Sequence, residues 1–465
     1  MKKTLLFLII LSILSTALLS LDFHIGYDMN ISNQNHYNGF NFKIHQLDKN
    51  FEFIADASMI NDGKYTWGLS KFFWDYYFFL NNGGIKINAE NFILEFGKLT
   101  HADEIKSPYS LFISSKPLPA LITNFRYENE SFVYQTRWIR LNHNSSQPMS
   151  NDPTKTYPDR GANYQLYALK SNNFRFGFQQ SIVYRGTSFH PEFFLNPMPN
   201  FLVQYMNNST KGGAPWTETD ANYNSIMGFF ADYKTSEYYI YSQILVDDLN
   251  ANRFLDPTAY QNPDKISWTL GGTLKTNLGN FSLHHAGATK YTYQTSGTKQ
   301  YSYTYYPDVQ FKYSNTEIRT ILLEDNYIGY YHGENNIAFM FTHDLNINEN
   351  LKIASSIEHV ISGSKSPVNP WGEYPSWTSP ENPGTKLLDE DILEKQYNFL
   401  LNISSHYKNI KFETNFLTSY ITNKLELTEV PEEWFKEGTN DMKYYSPSGE
   451  NMLKILIQFK INVNF

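Results

Sequence analysis

The sequence holds no cysteine. That absence excludes disulfide frameworks, Cys-ligated zinc, iron–sulfur clusters, a thiol nucleophile and lipid attachment through an N-terminal cysteine. Basic charge is also short, with 38 Lys plus Arg against 46 Asp plus Glu and a formal net charge of −8. A nucleic-acid partner needs a basic face to neutralise phosphates, so none is expected. Beyond residue 20 no stretch approaches the ~18–20 apolar residues of a spanning helix; the nearest, residues 72–80, is interrupted by Asp75. No phosphate-cradling glycine loop, dinucleotide fingerprint, nucleophile elbow or His-Glu-x-x-His sequence occurs. Nor does any segment repeat at the fixed length that a propeller or β-helix requires.

Residues 1–20, MKKTLLFLIILSILSTALLS, have two lysines, a short apolar run and then small residues. This is the tripartite form of a secretory signal peptide, with cleavage expected after Ala17 or Ser20. An exported chain without candidate spanning helices is either soluble or a β-barrel, because only helices and closed barrels satisfy their backbone in lipid. The strand pattern decides between them.

From Leu453 every second residue is apolar: Leu453, Ile455, Ile457, Phe459, Ile461, Val463 and Phe465. Five of the six positions between them are polar, so the period is 2 rather than 3.6. The run of thirteen exceeds the usual soluble strand of about 5–6 residues and suits a tilted transmembrane strand of about 9–11. A last strand that alternates and ends in Phe resembles the C-terminal recognition signal of bacterial outer-membrane proteins. It implies the outer-membrane assembly machinery as a partner and lipid with lipopolysaccharide as surroundings.

The alternation recurs at Phe23–Ile31, at 266–275, at 174–179 and at 397–405. Short turns are expected at 81–84 (NNGG), 128–130 and 277–280, and long polar loops at 142–163, 185–220, 248–265, 362–394 and 426–451. Short turns at one end and long loops at the other are the asymmetry of outer-membrane barrels. With 35 Tyr, 35 Phe and 8 Trp, aromatic girdles are expected, and residues 72–79 and 301–306 fit one. The expected fold is all-β: one domain, residues 21–465, forming a transmembrane antiparallel up-and-down β-barrel of about 16–18 strands, located in a bacterial outer membrane.

Chemistry is sparse. His284 and His285 are consecutive on a strand, so one faces the lumen and the other the lipid. His101, Asp103, His332 and Asp344 are scattered fragments of hydrolase-like sets; no catalytic residue, metal or cofactor is assigned and no enzyme is expected. Candidate ligand-binding residues are Arg126, Arg137 and Arg140, which suit an anionic solute or polysaccharide if they face the lumen, although lumen arginines also pair with wall carboxylates. Asp247 and Asp248 at a strand end suit a cation or hydroxyl-rich ligand, against a solvated loop entrance. The carboxylates Asp389, Glu390 and Asp391 offer oxygen ligands for Ca²⁺, against a charged loop tip. Trp371 and Trp377, with Trp216, suit sugar stacking, against a loop packed on itself.

Three segments stand out: 111–119 (LFISSKPLP) running into Asn124-Phe125-Arg126; 223–232 (YNSIMGFFAD) followed by 241–248 (YSQILVDD); and 328–336 (IGYYHGENN). They resemble segments of the capsule-assembly barrel family called Wzi. The resemblance implies an 18-stranded outer-membrane barrel that helps retain exported polysaccharide by lectin-like binding, without turnover. Members of that family carry an N-terminal helical bundle that occludes the barrel, whereas here strand-like alternation begins at Phe23. Either the plug is missing or loops such as 191–208 and 362–394 fill the lumen. The alternative function is a general or solute-selective diffusion porin.

Overall fold

The computed structural model describes residues 22–33, 35–63, 76–149, 154–207, 223–249, 255, 263–295, 301–307, 309–312, 318–365, 384–429 and 443–465. The expected leader and the three loop tryptophans Trp216, Trp371 and Trp377 lie outside the described residues.

Eighteen antiparallel strands close into one barrel. In chain order they begin with β1 (Asp22–Ser32), β2 (His36–Asp48), β3 (Phe51–Ile60), β4 (Tyr77–Ala89), β5 (Phe92–Leu99) and β6 (Ala120–Glu128). Then come β7 (Phe132–Asn142), β8 (Arg160–Ser171), β9 (Phe174–Arg185), β10 (Tyr223–Lys234), β11 (Tyr238–Asp248), β12 (Lys265–Thr276) and β13 (Gly279–Ala288). The wall is completed by β16 (Asn336–Asn348), β17 (Leu351–Ser362), β18 (Glu394–Tyr407), β19 (Ile410–Thr422) and β22 (Met452–Asn464). Two hairpins stand apart from the wall, β14 (Gln310–Lys312) with β15 (Ile318–Thr320) and β20 (Leu425–Glu429) with β21 (Lys443–Pro447). Helices are short: α1 (Pro191–Leu195), α2 (Asn200–Asn207) and α3 (Leu323–Asn326).

Each strand pairs with its neighbour in sequence, and β1 closes on β22 with Ile25 opposite Val463 and Tyr27 opposite Ile461. The last residue completes the seam: the Phe465 N–H donates to the Phe23 carbonyl at 2.9 Å and the two rings lie 6.3 Å apart. Closure leaves no sheet edge, which is what a strand in lipid requires. The alternation read from sequence sorts the two faces. Phe459, Ile461, Leu270, Leu274, Phe174, Phe176 and Tyr397 are exposed on the outside, while Gln458, Asn462 and Asn402 point inward.

The connections at one end are two or three residues long, and four of them turn through residues of positive φ: Glu90, Asn172, Gly279 and Lys408. The connections at the other end are long except for that between β1 and β2. Residues 81–84 are not a turn. They lie inside β4, where Asn81 is the extra residue of a bulge opposite Asp56 and Ala57. An Asn-Asn-Gly-Gly string reads like a hairpin turn, but here Gly83 and Gly84 keep ordinary strand backbone and pair with Ala55 and Ile54 of β3. The expected girdle at 301–306 is also corrected: Tyr301, Tyr303 and Tyr305 are buried in the core. Of residues 72–79, only 76–79 are described, and Tyr77 is buried while Phe78 is exposed.

Candidate functional site

The core of this protein lies inside the barrel. Two connections from the long-loop end, residues 100–119 and the described parts of 289–335, fold into the lumen, and their side chains supply Tyr109, Leu111, Phe112, Ile113, Tyr293, Tyr303, Tyr330 and Tyr331 to the principal hydrophobic cluster. Facing them, the inner wall turns apolar, with Ile122, Val133, Ile139, Leu166, Val183, Ile226, Leu245 and Val360. Burying a side chain of this size contributes roughly 1.5–3 kcal/mol, so the plug is held by the same force that packs a soluble core.

The two loops are bonded to each other. The Ser114 N–H donates to the Ile328 carbonyl at 2.6 Å, and the Tyr303 hydroxyl donates to the Phe112 carbonyl at 2.6 Å. They cross so closely at Gly329 that a Cβ there would strike the Leu111 carbonyl oxygen. Asp103 fixes the turn of the first loop. Its carboxylate accepts the N–H groups of Phe112 (2.9 Å) and Ile113 (3.1 Å) and the side-chain amides of Gln179 (2.6 Å) and Gln243 (3.2 Å). Burial nevertheless pushes its pKa up, because these donors are neutral.

A second carboxylate, Glu358 on β17, accepts from four groups: the hydroxyls of Tyr109 (2.7 Å) and Tyr331 (2.8 Å), Nε2 of His332 (3.1 Å) and the Asn398 amide (2.9 Å). Burial disfavours the His332 imidazolium, but Glu324 and Glu358 outweigh burial and raise its pKa. Lys116 Nζ sits 3.7 Å over the Tyr331 ring. On the opposite side, His101 accepts or donates a 3.2 Å hydrogen bond with Tyr305, and burial plus the Arg137 guanidinium hold its pKa down to about 3. His101 and Asp103 therefore belong to the plug, far in role from a hydrolytic set.

The residues expected to bind ligand separate into three groups. Arg126 and Arg137 do face the lumen, yet both are committed to the plug. Arg126 forms a bidentate pair with Glu104 of the first loop (2.6 and 3.1 Å) and bonds Glu128, and Arg175 holds Glu104 and Asp232. Arg137 donates to the Ala102 carbonyl at 2.9 Å. Asp247 is likewise an anchor, accepting the Tyr293 N–H at 2.8 Å and lying 3.3 Å from Lys265 Nζ, whereas Asp248 is 4.0 Å from that lysine. Arg140 alone of the three arginines is exposed, lining a cleft of about 340 Å³ with Lys98, Leu118 and Tyr306. Asp389 and Glu390 are paired with Lys290 at 3.4 and 2.8 Å, so they form an ion-pair cluster, and no metal-binding group is found among the described residues.

Sequence reading missed Arg160. Its buried guanidinium donates to the carbonyls of Ser302 (2.7 Å) and Thr304 (3.1 Å) and pins the second loop to β8. It also missed the chamber on the other side of the lumen, about 490 Å³, lined by Asp28, Asn41, Lys43, Asp56, Lys460 and Asn462 near the short-turn end. In the register, Lys460 stands between Asp28 and Glu413, and Lys43 opposite Asp56. Alternating charges around one belt were present in the sequence but spread over more than 400 positions. His284 and His285 behave as expected: His284 bonds the buried Tyr241 hydroxyl at 2.8 Å, and His285 stacks on Phe339 with centroids 4.4 Å apart.

No protein-family model matches the sequence, and no curated protein matches it. Solved structures do match in fold. Wzi of Escherichia coli, described as an outer-membrane protein involved in group 1 capsule assembly and a carbohydrate-binding β-barrel, aligns over 96% of this chain and 85% of its own, at 11% identity and a TM-score of 0.54. OprD of Pseudomonas aeruginosa aligns over 96% of this chain and 94% of its own, at 8% identity and a TM-score of 0.44. The chain is an 18-stranded barrel of the outer-membrane type, and at these identities the likeness extends to the fold and no further.

Proposed function

We propose that this chain is exported by its first 20 residues, is assembled into a bacterial outer membrane through its Phe465 strand, and there binds surface polysaccharide without chemical turnover. The observation that carries this reading is the plug. Two loops interlock in the lumen and bury Tyr109, Phe112, Tyr303, Tyr330 and Tyr331 fully. A barrel filled with its own protein gives up its bore as a route and leaves the long-loop face as the working surface. The carbohydrate binding stated for Wzi supports the choice of ligand class. At the rim of that face, on the outer side of the wall, the exposed Arg140 beside Lys98 and Tyr306 offers positive charge and an aromatic side chain to an acidic sugar, and Trp371 and Trp377 remain the stacking candidates. The test is retention of acidic polysaccharide by cells carrying the wild type, Arg140→Ala or Trp371→Ala with Trp377→Ala. Loss of retention with unchanged barrel assembly is expected, and full retention in every variant overturns the reading.

A second reading, a narrow solute channel, rests on one specific observation: the chamber of charged and amide side chains near the short-turn end. Single-channel recording in a planar bilayer separates the two. The plugged reading expects no steady conductance, and a large open-state current overturns it in favour of the channel.

A further inference from the structure

On the outside of the barrel, at β7–β9, the lipid-facing rule is broken. Tyr164 packs on Phe112 of the plug, Arg137 reaches the plug backbone and Gln179 bonds Asp103, so these residues face the lumen. By alternation their neighbours Asn163, Gln165, Thr136, Trp138 and Gln180 face outward. Three amides on a lipid-facing wall are costly unless bonded, and here they are buried: Asn163 and Gln165 are 0% exposed and Gln180 is 1%.

What covers them is the start of the β9–β10 connection, residues 186–207, which folds back down the outer wall. Asn163 Nδ2 donates to the Phe193 carbonyl at 2.7 Å, Gln165 Nε2 to the Asn196 carbonyl at 2.9 Å and Thr136 Oγ1 to the Phe194 carbonyl at 3.0 Å. The Tyr167 hydroxyl donates to Pro197 at 2.6 Å and Trp138 Nε1 to Ser188 at 2.6 Å. Irregular backbone is excluded from hydrocarbon because its carbonyls go unsatisfied; this wall supplies five donors for five such carbonyls. The opposite side of the same segment presents Phe189, Leu195, Met198 and Met206 outward, with Leu195 72% exposed.

Depth follows from the strand. Gln165 lies six residues above Ser171, the short-turn end of β8; at about 3.3 Å per residue and a tilt near 40°, that is roughly 15 Å, inside an apolar band about 25 Å tall. Immediately below it are the exposed Leu169, Phe176 and Phe229 of the barrel's own apolar face. We propose that residues 186–207 are a membrane-embedded strap, whose apolar side continues the lipid-facing band of the barrel and contacts acyl chains of the outer leaflet.

The absence of native cysteine makes the test direct. Nitroxide labels at Leu195→Cys and Met206→Cys, with Leu169→Cys as the lipid reference and Glu450→Cys as the aqueous one, are read in phosphatidylcholine vesicles against oxygen and a water-soluble nickel chelate. Both strap labels are expected to match Leu169, with oxygen favoured over nickel. A match to Glu450 overturns the proposal, and protection from both quenchers with spin–spin broadening overturns it in favour of a second copy seated on the strap. In a second variant, Gln165→Leu with Gln180→Leu, the Leu195 label is expected to move toward the aqueous value while the barrel keeps its heat-modifiable migration; an unchanged label means that the amides do not hold the strap.

Discussion

The two halves of the lumen wall are built from the same kind of strand and solve opposite problems. From β6 to β13 and at β16 and β17, the inner face meets the plug, and Val133, Ile139, Ala162, Leu166, Val183 and Leu245 are buried in it. From β18 through β19, β22 and β1 to β3, the inner face carries Asn402, Asn415, Gln458 and Asn30, joined in a chain of amide hydrogen bonds of 2.5, 2.9 and 2.7 Å, and then Asp28, Asn41 and Ser58. Among the described residues no hydrogen bond joins this second wall to the plug except through Asn398 and Glu358. The difference teaches where period 2 is informative. Clean alternation marks a strand with a wet inner face, as in β22 and β1, whereas blurred alternation, as in β7 and β8, marks a strand buried on its inner side.

The largest expected effect comes from removing the first plug loop. Replacing residues 102–117 by a short Gly-Ser turn strips Glu104 from Arg126 and Arg175 and removes the partners of Tyr303 and Tyr330, and a silent barrel is expected to become steadily conducting. A deletion barrel that folds yet stays silent would show that the plugged wall is not what closes the bore. Next is Glu358→Ala, which leaves three plug donors and Asn398 without their acceptor. Breaking one partner of a buried charged network costs roughly 3–5 kcal/mol, to be read as a lowered unfolding midpoint in denaturant; a midpoint within error of wild type sinks the assignment.

A smaller effect is expected from pH, through two histidines of opposite sign. His332, facing Glu358, Glu324, Tyr109 and Tyr331, has a raised pKa, so its stabilisation is complete below the unfolded value of about 6.5 and is lost as pH rises through the folded value. His101, facing Arg137 and Tyr305, has its pKa lowered to about 3, so its contribution is complete above about 6.5 and is lost as pH falls toward 3. Protease nicking of the plug loops is expected to rise at both extremes, with His332→Gln removing the alkaline limb and His101→Gln the acid limb. The smallest effect is on the polar wall. Asn415→Ala breaks two links of the amide chain in a wall open to water, and about 1 kcal/mol of destabilisation is expected by thermal melting. A loss as large as that of Glu358→Ala would erase the distinction between the two walls.

Much of the barrel was legible in the sequence because its rules are local. Strand length, alternation and the terminal Phe465 depend on neighbours two residues apart, and the outward set Phe459, Ile461 and Leu270 follows from them. The candidate site was legible only in part. Arg126 and Arg137 stand out in the sequence as candidate lumen charges and Asp247 as a strand-end carboxylate, but their partners Glu104, the Ala102 carbonyl and Tyr293 stand on loops whose path no local pattern records. The tyrosines of 301–306 looked like a girdle because a girdle and a plug draw on the same residue type, an amphipathic ring that buries its body and bonds its hydroxyl.

The sequence by itself therefore pointed to a closed antiparallel barrel with an apolar outside, since strands of this length with a period of 2 match the span of a membrane, and in lipid only a closed barrel satisfies the backbone of a strand. Tertiary structure alone decided that the barrel is filled. The described parts of the two plug loops meet across nearly two hundred positions, as Tyr303 meets Phe112, and it is the closure of eighteen strands around them that removes water from both. Whether a loop tyrosine faces solvent, lipid or another loop is fixed by that enclosure, because the hydrophobic gain exists only where a second surface arrives to share it.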